Sequence, residues 1–312
     1  MVAADGVRVV VTGASGFVGR HVIDVLERQG VSYVAVGRAG SARAFPARAG
    51  HCELNLLGDG AAGALAALGG THLIHLAWYA EHKHYWSSPR NFDWASATLA
   101  LVRAFSAGGR HVTAVGTCAE YDWSRGLCIE NNTPLEPATI YGQVKAATAR
   151  LTQTTCAVAG VSCCWARLFL PFGPGEHPDR LVPSVADALS GRRPAFPVGN
   201  DNWRDFLAVE DVADAIVHLT LAEHQGAINV CSGMPRRIGD VVAEIGRLAG
   251  VGDGVLPDAQ TTAPGDPRWI VGDDSTLRAT GWRAQASFSR RLAAYVGQRQ
   301  VAPLNNRHRA TE

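Results

Sequence analysis

The feature that most restricts the fold of this chain is a glycine pattern close to its start. The β-branched run from Val7 to Val11 precedes glycines at positions 13, 16 and 19, and a segment of helical periodicity runs from Phe17 to Gln29. In a strand–loop–helix unit of this spacing, Gly13 allows a tight turn, Gly16 lets a phosphate approach the backbone, and Gly19 lets helix and strand pack closely. Free N–H groups at the helix start then bind the anion. The predicted contacts to a dinucleotide in this loop are Gly13, Ser15, Gly16, Phe17, Val18 and Gly19.

The rest of the first half alternates apolar strands with helices. Predicted strands cover 7–11, 32–36, 51–54, 71–77 and 111–116, and predicted helices cover 17–29, 91–107 and 141–158. Continuous apolar strands separated by helices indicate a parallel sheet that is covered on both faces. We therefore predict an α/β fold, a Rossmann-type doubly wound parallel sheet with a smaller mixed α/β C-terminal substrate lobe.

Proline and glycine become frequent after about residue 170. We assign residues 1–170 to an NAD(P)-binding domain, with sheet and helix returns near 206–235, and residues 171–312 mainly to the substrate lobe. Helix, strand and helix are expected at 211–221, 227–230 and 238–249. The polar residues from about Gln298 are expected to fray.

Composition narrows the possible partners. The chain has 312 residues, 47% of them hydrophobic, and a net charge of +1. This balance gives no reason to expect nucleic acid or a membrane surface as partner. The N-terminus does not resemble a signal peptide and no apolar run approaches the ~20 residues of a membrane helix, so a cytoplasmic location is expected. Seven scattered cysteines without a C-x-x-C pair predict reduced thiols and no metal site.

The end of the second strand indicates the cofactor. NAD enzymes place a carboxylate there for the ribose hydroxyls, whereas this chain has Val36-Gly37-Arg38. A guanidinium can bind the additional phosphate of NADP with two hydrogen bonds. We predict that NADP(H) is favoured and that NAD(H) is possible.

A tyrosine and a lysine form the predicted catalytic pair. Tyr141 and Lys145 lie four residues apart in a predicted helix and therefore share one face. A nearby ammonium is expected to lower the phenol pKa from its usual value near ~10. The same lysine can hydrogen-bond the nicotinamide ribose.

These motifs together resemble one family. The G-x-x-G-x-x-G loop, Thr117 four residues before Tyr121, and the Tyr141/Lys145 pair occur in the order found in extended short-chain dehydrogenases/reductases. The chain resembles their NAD-dependent epimerase/dehydratase branch, which acts on nucleotide sugars, over nearly its whole length. The resemblance implies that Thr117 binds the substrate oxygen and orients it towards Tyr141.

The resemblance assigns further residues by position. Arg204, within Trp203-Arg204-Asp205-Phe206, corresponds to an arginine that contacts the nucleotide diphosphate. The complete cofactor set adds to the glycine loop Arg38, Asn55, Leu56, Leu76, Ala77, Trp78, Tyr141, Lys145, Leu168 and Phe169. The substrate set is Trp78, Tyr79, Thr117, Cys118, Arg180, Leu181, Arg204 and Asp266.

The positions at which this chain differs from the family indicate which of the family's reactions are expected. Cys118 and Ala119 stand where the 4,6-dehydratases have an acid and a base, so dehydration is not expected. Ala119 and Gly175 stand where epimerising reductases of the GDP-fucose synthase type have Cys and His. Ketone reduction and 4-epimerisation remain. Because NADP(H) is favoured, we predict a 4-ketoreductase of a nucleotide-diphospho-4-keto-6-deoxyhexose.

Alternatives remain open. An NAD-dependent nucleotide-sugar 4-epimerase is the first. The second alternative is a reductase of a non-sugar ketone, because Leu170 and Ala263 stand where the family has residues that bind the nucleotide sugar. A catalytically dead cofactor-binding sensor is the non-enzymatic alternative, and the presence of all three catalytic residues argues against it. In related enzymes the helices equivalent to 91–107 and 141–158 form a dimer bundle, so a homodimer is expected.

Overall fold

The computed structural model describes residues 6–41, 50–252, 256–257 and 267–301. The strands are β1 Arg8–Thr12, β2 Ser32–Gly37, β3 Gly50–Glu53, β4 His72–His75, β5 His111–Thr117, β6 Leu127–Cys128, β7 Ser162–Leu168, β8 Leu170–Phe172, β9 Trp203–Ala208, β10 Gly226–Val230, β11 Pro235–Arg237 and β12 Trp269–Gly272. The helices are α1 Phe17–Gln29, α2 Ala61–Ala66, α3 Arg90–Phe105, α4 Ile140–Val158, α5 Leu181–Leu189, α6 Val209–Leu221, α7 Ile238–Ala249, α8 Ser275–Ala279 and α9 Phe288–Val301.

Seven parallel strands form the main sheet, in the order β10-β7-β5-β4-β1-β2-β3. Helices α1 and α6 cover one face, where Val9, Val11 and Ile216 are buried in a common core. Helices α2, α3 and α4 cover the other face around Val10 and Trp165. This confirms the predicted doubly wound fold, because β-branched strands that are buried on both faces need helices on both sides.

A second, mixed sheet carries the other lobe, in the order β11-β9-β12-β6 with β8 added beside β9. It shares an apolar core with α5, α7 and α9, in which Phe172, Phe206 and Leu292 are buried. The chain passes between the sheets more than once: β6 joins the second sheet from the first half of the sequence, and β10 returns to the first.

Helix positions agree closely with the sequence. The helix predicted at 238–249 is α7, and the helix predicted at 91–107 is α3, Arg90–Phe105. The chain is expected to fray from about Gln298; α9 continues to Val301, and the residues after Val301 lie outside the described ranges. Leu292, Tyr295 and Val296 are buried and hold this helix on the second lobe. Within the described ranges, no helix is both long and apolar enough to cross a membrane.

Candidate active site

The glycine loop between β1 and α1 has the geometry of a phosphate site. Gly13 has a φ of +68°, and a Cβ there would lie 2.8 Å from the amide nitrogen of Ala77. A Cβ on Gly19 would lie 2.2 Å from the carbonyl oxygen of Gly13, so only glycine fits either position. Gly16 caps α1 without a side-chain hydrogen bond, and the first turn contains no acid. The first amides of α1, from Phe17 and Val18 onwards, are therefore available to an anion.

Arg20 also belongs to this loop, although it is not among the residues predicted from the sequence. Its guanidinium donates to the carbonyl oxygens of Gly16, at 3.3 Å, and Ser15, at 3.4 Å. A cation is thereby fixed beside the predicted pyrophosphate position. The available signal was a basic residue one helical turn after Gly16.

The end of β2 differs from the prediction of a region without an acid. Arg38 is exposed there, as expected for a side chain that meets a ligand. However, Glu53 of β3 is paired in register with Gly37, and its Oε1 accepts a 2.8 Å hydrogen bond from the Gly40 amide. The pairing of β2 with β3 thus brings the Glu53 carboxylate to the end of β2, where the sequence predicted only Arg38.

Two other predicted contacts lie after β3. The Asn55 side chain accepts a hydrogen bond from the Leu57 amide at 3.2 Å, so it forms a local turn. Leu56 is buried at 9% exposure and packs against the main core. Both residues lie at the carboxyl edge of the sheet, on the Arg38 side.

Thr117, Tyr141 and Lys145 meet at the carboxyl end of β5. Thr117 is the last residue of β5, and Tyr141 lies in the first turn of α4. The Thr117 hydroxyl lies close enough to the Tyr141 phenol to lower its pKa, although burial outweighs this effect. The Tyr141 amide donates to the carbonyl oxygen of Trp86 at 3.1 Å, which fixes the start of the helix. A phenol and an alcohol thus meet at one point, as hydrogen bonding to a substrate oxygen requires.

Lys145 is buried on the same face of α4. Its Nζ donates to the carbonyl oxygen of Val115 at 2.8 Å and lies 3.8 Å from the ring centre of Trp78. Burial lowers the pKa of Lys145 to about 7, and the negative charge of Glu120 opposes this shift. The Trp78 indole is itself fixed by a 2.8 Å hydrogen bond to Asn91.

The predicted effect of Lys145 on Tyr141 is wrong for this structure. Burial raises the pKa of Tyr141, and the neighbouring Thr117 hydroxyl lowers it by a smaller amount. Desolvation disfavours the phenolate, and the ammonium that was expected to compensate is bonded to Val115 and packed on Trp78. The phenol is thereby held in its protonated form.

An aromatic cluster borders Tyr141, and its main members are absent from the predicted sets of cofactor and substrate contacts. Tyr85 lies with its ring centre 4.9 Å from that of Tyr141, and Trp86 lies at 5.7 Å. Trp123 approaches Trp86 at 6.4 Å. Burial raises the pKa of Tyr85 to about 12, and the charge of Arg180 acts in the opposite direction. Arg180, a predicted substrate contact, therefore lies on this side of the site.

The remaining predicted residues are distributed around this centre. Leu76 and Ala77 follow β4, where their amides approach Thr12. The Tyr79 hydroxyl donates to Glu81, and Leu181 begins α5. Phe169 and Cys118 are buried in one apolar cluster, and Leu168 ends β7.

Arg204 is 5% exposed, and its Nη1 donates to the carbonyl oxygen of Trp203 at 2.9 Å. Asp266 lies outside the described residues.

A buried ionic network supports the turn after β5. Glu120 is fully buried and accepts hydrogen bonds from the Thr117 amide at 2.8 Å and from Arg167 Nε at 2.7 Å. The Trp165 indole donates to the same carboxylate at 2.9 Å. The position of Thr117 therefore depends on a carboxylate that is not among the predicted site residues. No group of three potential metal ligands occurs in the part of the chain that the structure describes.

The fold and this site together define an extended short-chain dehydrogenase/reductase: a parallel sheet, an open glycine loop and a Thr–Tyr–Lys set at its carboxyl edge. The sequence profile of the NAD-dependent epimerase/dehydratase family matches residues 9–231, and the chain belongs to this family.

Individual relatives agree with this membership. The UDP-glucose 4-epimerase of Azospirillum brasilense is 26% identical, with 93% of this chain and 94% of the relative covered. The GDP-6-deoxy-D-mannose reductase of Pseudomonas aeruginosa is 27% identical, with 93% and 96% covered. The structure of the Thermus thermophilus UDP-glucose 4-epimerase in complex with NAD is 23% identical, covers 95% of this chain and 100% of its own, and has a TM-score of 0.83.

Proposed function

We propose that the protein reduces the C4 ketone of a nucleotide-diphospho-4-keto-6-deoxyhexose, with NADPH as the favoured cofactor. The observation that carries this proposal is that Thr117, Tyr141 and Lys145 meet at the carboxyl end of β5, with Cys118 and Ala119 directly after Thr117. Thr117 and Tyr141 can handle a carbonyl oxygen. Cys118 and Ala119 supply neither the acid nor the base that eliminating water from the sugar would require.

Each residue has one role in this reaction. The hydride for C4 would come from a reduced nicotinamide bound at the carboxyl edge of the sheet. The Thr117 hydroxyl donates to the ketone oxygen and orients it towards Tyr141. Tyr141 gives its proton to that oxygen as negative charge develops there. Because burial raises the pKa of this phenol, Tyr141 carries the proton that net reduction requires it to donate.

The dinucleotide would bind across the carboxyl edge of the sheet. The glycine loop fits its pyrophosphate, since a Cβ at Gly13 or Gly19 would collide with backbone. Lys145 would hold the nicotinamide ribose, and Leu76, Ala77 and Trp78 would line the adjacent surface. Arg38 would bind the additional phosphate of NADP.

The nucleotide sugar would extend towards the second lobe. Arg180 and Arg204 would bind its diphosphate, because guanidinium groups form paired hydrogen bonds with phosphate oxygens. Asp266, Leu181, Tyr79 and Cys118 complete the proposed substrate set. Relatives whose names specify UDP-glucose and GDP-6-deoxy-D-mannose support a substrate of this class.

An NAD-dependent 4-epimerase is the second candidate, and one observation favours it. Glu53 places a carboxylate at the end of β2, where it could accept hydrogen bonds from the ribose hydroxyls of NAD. An epimerase would oxidise C4 and then reduce it from the other face with the same retained cofactor.

One experiment separates the candidates. The purified protein is incubated with 4-keto-6-deoxy sugars linked to UDP, GDP and dTDP, each with NADPH or NADH, while absorbance at 340 nm is followed. A reductase consumes the reduced cofactor. An epimerase converts UDP-glucose into its C4 epimer without added cofactor and leaves the absorbance constant. Turnover only with non-sugar ketones would instead support the reductase of a different substrate.

Replacing Tyr141 by Phe tests whether the chain is an enzyme at all. The variant removes one oxygen, so we expect turnover to fall by about 10²–10⁴-fold, as for loss of a general acid. Cofactor binding, followed by fluorescence, should change little. A variant with unchanged turnover would contradict the assigned role of Tyr141, and a protein inactive in both forms would favour a binding module.

We also propose that two copies of the chain associate through α3 and α4. Leu151 is 51% exposed, Val158 is 86% exposed, and Phe92 on α3 is 57% exposed. Positions 147, 151, 154 and 158 follow the helical repeat and lie on one exposed face of α4. A second copy packed on this face would bury these apolar side chains.

A further inference from the structure

A cavity of about 370 Å³ lies between α6 and the second lobe, apart from the residues assigned to catalysis. Its wall includes Phe206, Leu207 and Ala208 of β9 and the segment from Trp282 to Phe288. None of the residues proposed to act in catalysis or to bind the diphosphate lines it: Thr117, Tyr141, Lys145, Arg180 and Arg204. We name it the arginine cavity, because Arg236, Arg278, Arg283 and Arg291 all line it.

The charges around the arginine cavity do not balance locally. Asp211 and Asp274 are the carboxylates among its described lining residues. Both carboxylate oxygens of Asp211 accept hydrogen bonds from Arg291, at 2.8 and 3.1 Å, and Oδ1 also accepts one from the Gln285 amide. Asp274 lies 3.8 Å from Arg278, which is a weak contact. Four guanidinium groups thus face two carboxylates, and Arg236 and Arg283 have no ion pair within the described ranges.

Arg236 provides the clearest evidence for a bound ligand. Its Nε is buried and has no hydrogen-bond partner, and its guanidinium carbon lies 3.9 Å from the ring centre of Phe288. Burial lowers the pKa of Arg236, while the more distant Glu244 and Asp205 raise it. A buried charged donor without an acceptor is costly. The Nε itself is sealed from the cavity, so an anion there would bind the outer guanidinium nitrogens of Arg236, which have no hydrogen-bond partner among the described residues.

Arg283 completes a second side of the site. Its Nη1 donates to the carbonyl oxygens of Arg278 and Trp282, both at 2.6 Å, so the guanidinium is held in place by backbone. The Trp282 indole is fixed in turn by a 2.8 Å bond to Asp214. Two positioned guanidinium groups beside an apolar wall suit a compact dianion attached to a less polar body.

We propose that the arginine cavity binds a small organic phosphate, such as a sugar phosphate or a nucleoside monophosphate, at a site separate from the active site. The volume lies within the range of small-molecule pockets. The phosphate would meet Arg236 and Arg283, and the organic part would lie on Phe206 and Trp282. This site does not depend on which reaction the protein catalyses.

Calorimetric titration tests the proposal without any turnover. Inorganic phosphate, glucose 1-phosphate and UMP are titrated separately into the wild type, Arg236→Met, Arg283→Gln and Arg180→Met. Methionine keeps the apolar contact with Phe288 while removing the charge. We expect Arg236→Met and Arg283→Gln each to weaken binding by about tenfold or more, as for loss of a charge-assisted pair. The control Arg180→Met, on the active-site side, should leave this binding intact.

Comparison of the three titrants shows which part of the ligand the cavity recognises. Equal affinity for all three would mean that the phosphate alone is recognised, and tighter binding of one organic phosphate would show that the apolar wall contributes. Equal binding by the wild type and both cavity variants would overturn the proposal, as would loss of binding only in Arg180→Met.

Crystals provide a second measurement that does not depend on the stability of a variant. Wild-type crystals are soaked in sodium tungstate, whose anion replaces phosphate and scatters anomalously. An anomalous peak within hydrogen-bond distance of Arg236 and Arg283 supports the site. A peak at the glycine loop but none in the arginine cavity rejects it.

Discussion

Lys145 has surroundings that its place in the sequence does not reveal. A lysine one turn after a tyrosine is expected to keep its charge and to act on that tyrosine. In the structure it is 5% exposed and contacts the Val115 carbonyl and the Trp78 ring. These two contacts replace only part of the water that an ammonium loses on burial, so its pKa falls to about 7.

This shift predicts how stability depends on pH. The pKa of Lys145 is about 7 in the folded protein and near ~10.4 in the unfolded chain. Between these values the unfolded chain binds more protons, so stability rises as pH rises. We expect Lys145 to add about 2 kcal/mol to the free energy of unfolding between pH 7 and pH 9. Urea unfolding without cofactor measures this value.

Lys145→Met isolates the effect. The variant should lose this rise with pH, and it should gain stability relative to the wild type at pH 7 because no charge is buried. Burial lowers the pKa of His75 to about 3, so His75 does not titrate in this range. Burial raises the pKa of Glu176 to about 7, so Glu176 still ionises above pH 7, but it does so in both proteins and cancels in their difference. An identical pH slope in both proteins would show that Lys145 keeps its ordinary pKa.

At the scale of elements, the turn after β5 holds the site together. Glu120 accepts bonds from the Thr117 amide, Trp165 and Arg167, and Arg167 also donates to the Tyr121 hydroxyl at 3.2 Å. Tyr121 then donates to Asn229 of β10 at 2.8 Å. One buried network therefore joins β5, β7 and β10 directly behind the catalytic threonine.

Glu120→Gln should be strongly destabilising. The amide removes the charge that pairs with Arg167, which is only 6% exposed in this contact. Breaking one partner of a buried ion pair costs about 3–5 kcal/mol, and urea unfolding at pH 7 measures it. The double variant Glu120→Gln with Arg167→Met should recover part of the loss. Asp201→Asn, at the exposed pair with Arg237, is the control and should cost far less than Glu120→Gln, because exposed ion pairs contribute little to stability.

The elements themselves were largely predictable from sequence. Repeating apolar positions located α7 at Ile238–Ala249, and the glycine loop located the junction of β1 and α1. Contacts between distant segments were not predictable. Glu53 reaches the end of β2 only through strand pairing, and Tyr85 reaches Tyr141 only because a loop after β4 packs on α4. Neither contact leaves a signal at any sequence spacing.

At the scale of the whole molecule, the fold is retained while the sequence varies. The chain matches an epimerase structure with a TM-score of 0.83 at 23% identity. A parallel sheet requires only that its strands be apolar and its helices amphipathic, so many sequences satisfy it. The glycine loop and the pair at Thr117 and Tyr141 are more restricted, because a Cβ or a shift of one residue would destroy them.

The exposed face of α4 gives the last prediction. If two copies pack through this face, the double variant Leu151→Glu with Val158→Glu places four carboxylates in the apolar contact of a dimer. Burying unpaired charges is unfavourable, so we expect monomers. Light scattering after size exclusion should give twice 33.0 kDa for the wild type and 33.0 kDa for the variant. Val251→Glu, at a 50% exposed residue away from α4, should remain dimeric. A wild type that is monomeric at micromolar concentration, or a variant that stays dimeric, would contradict the α4 interface.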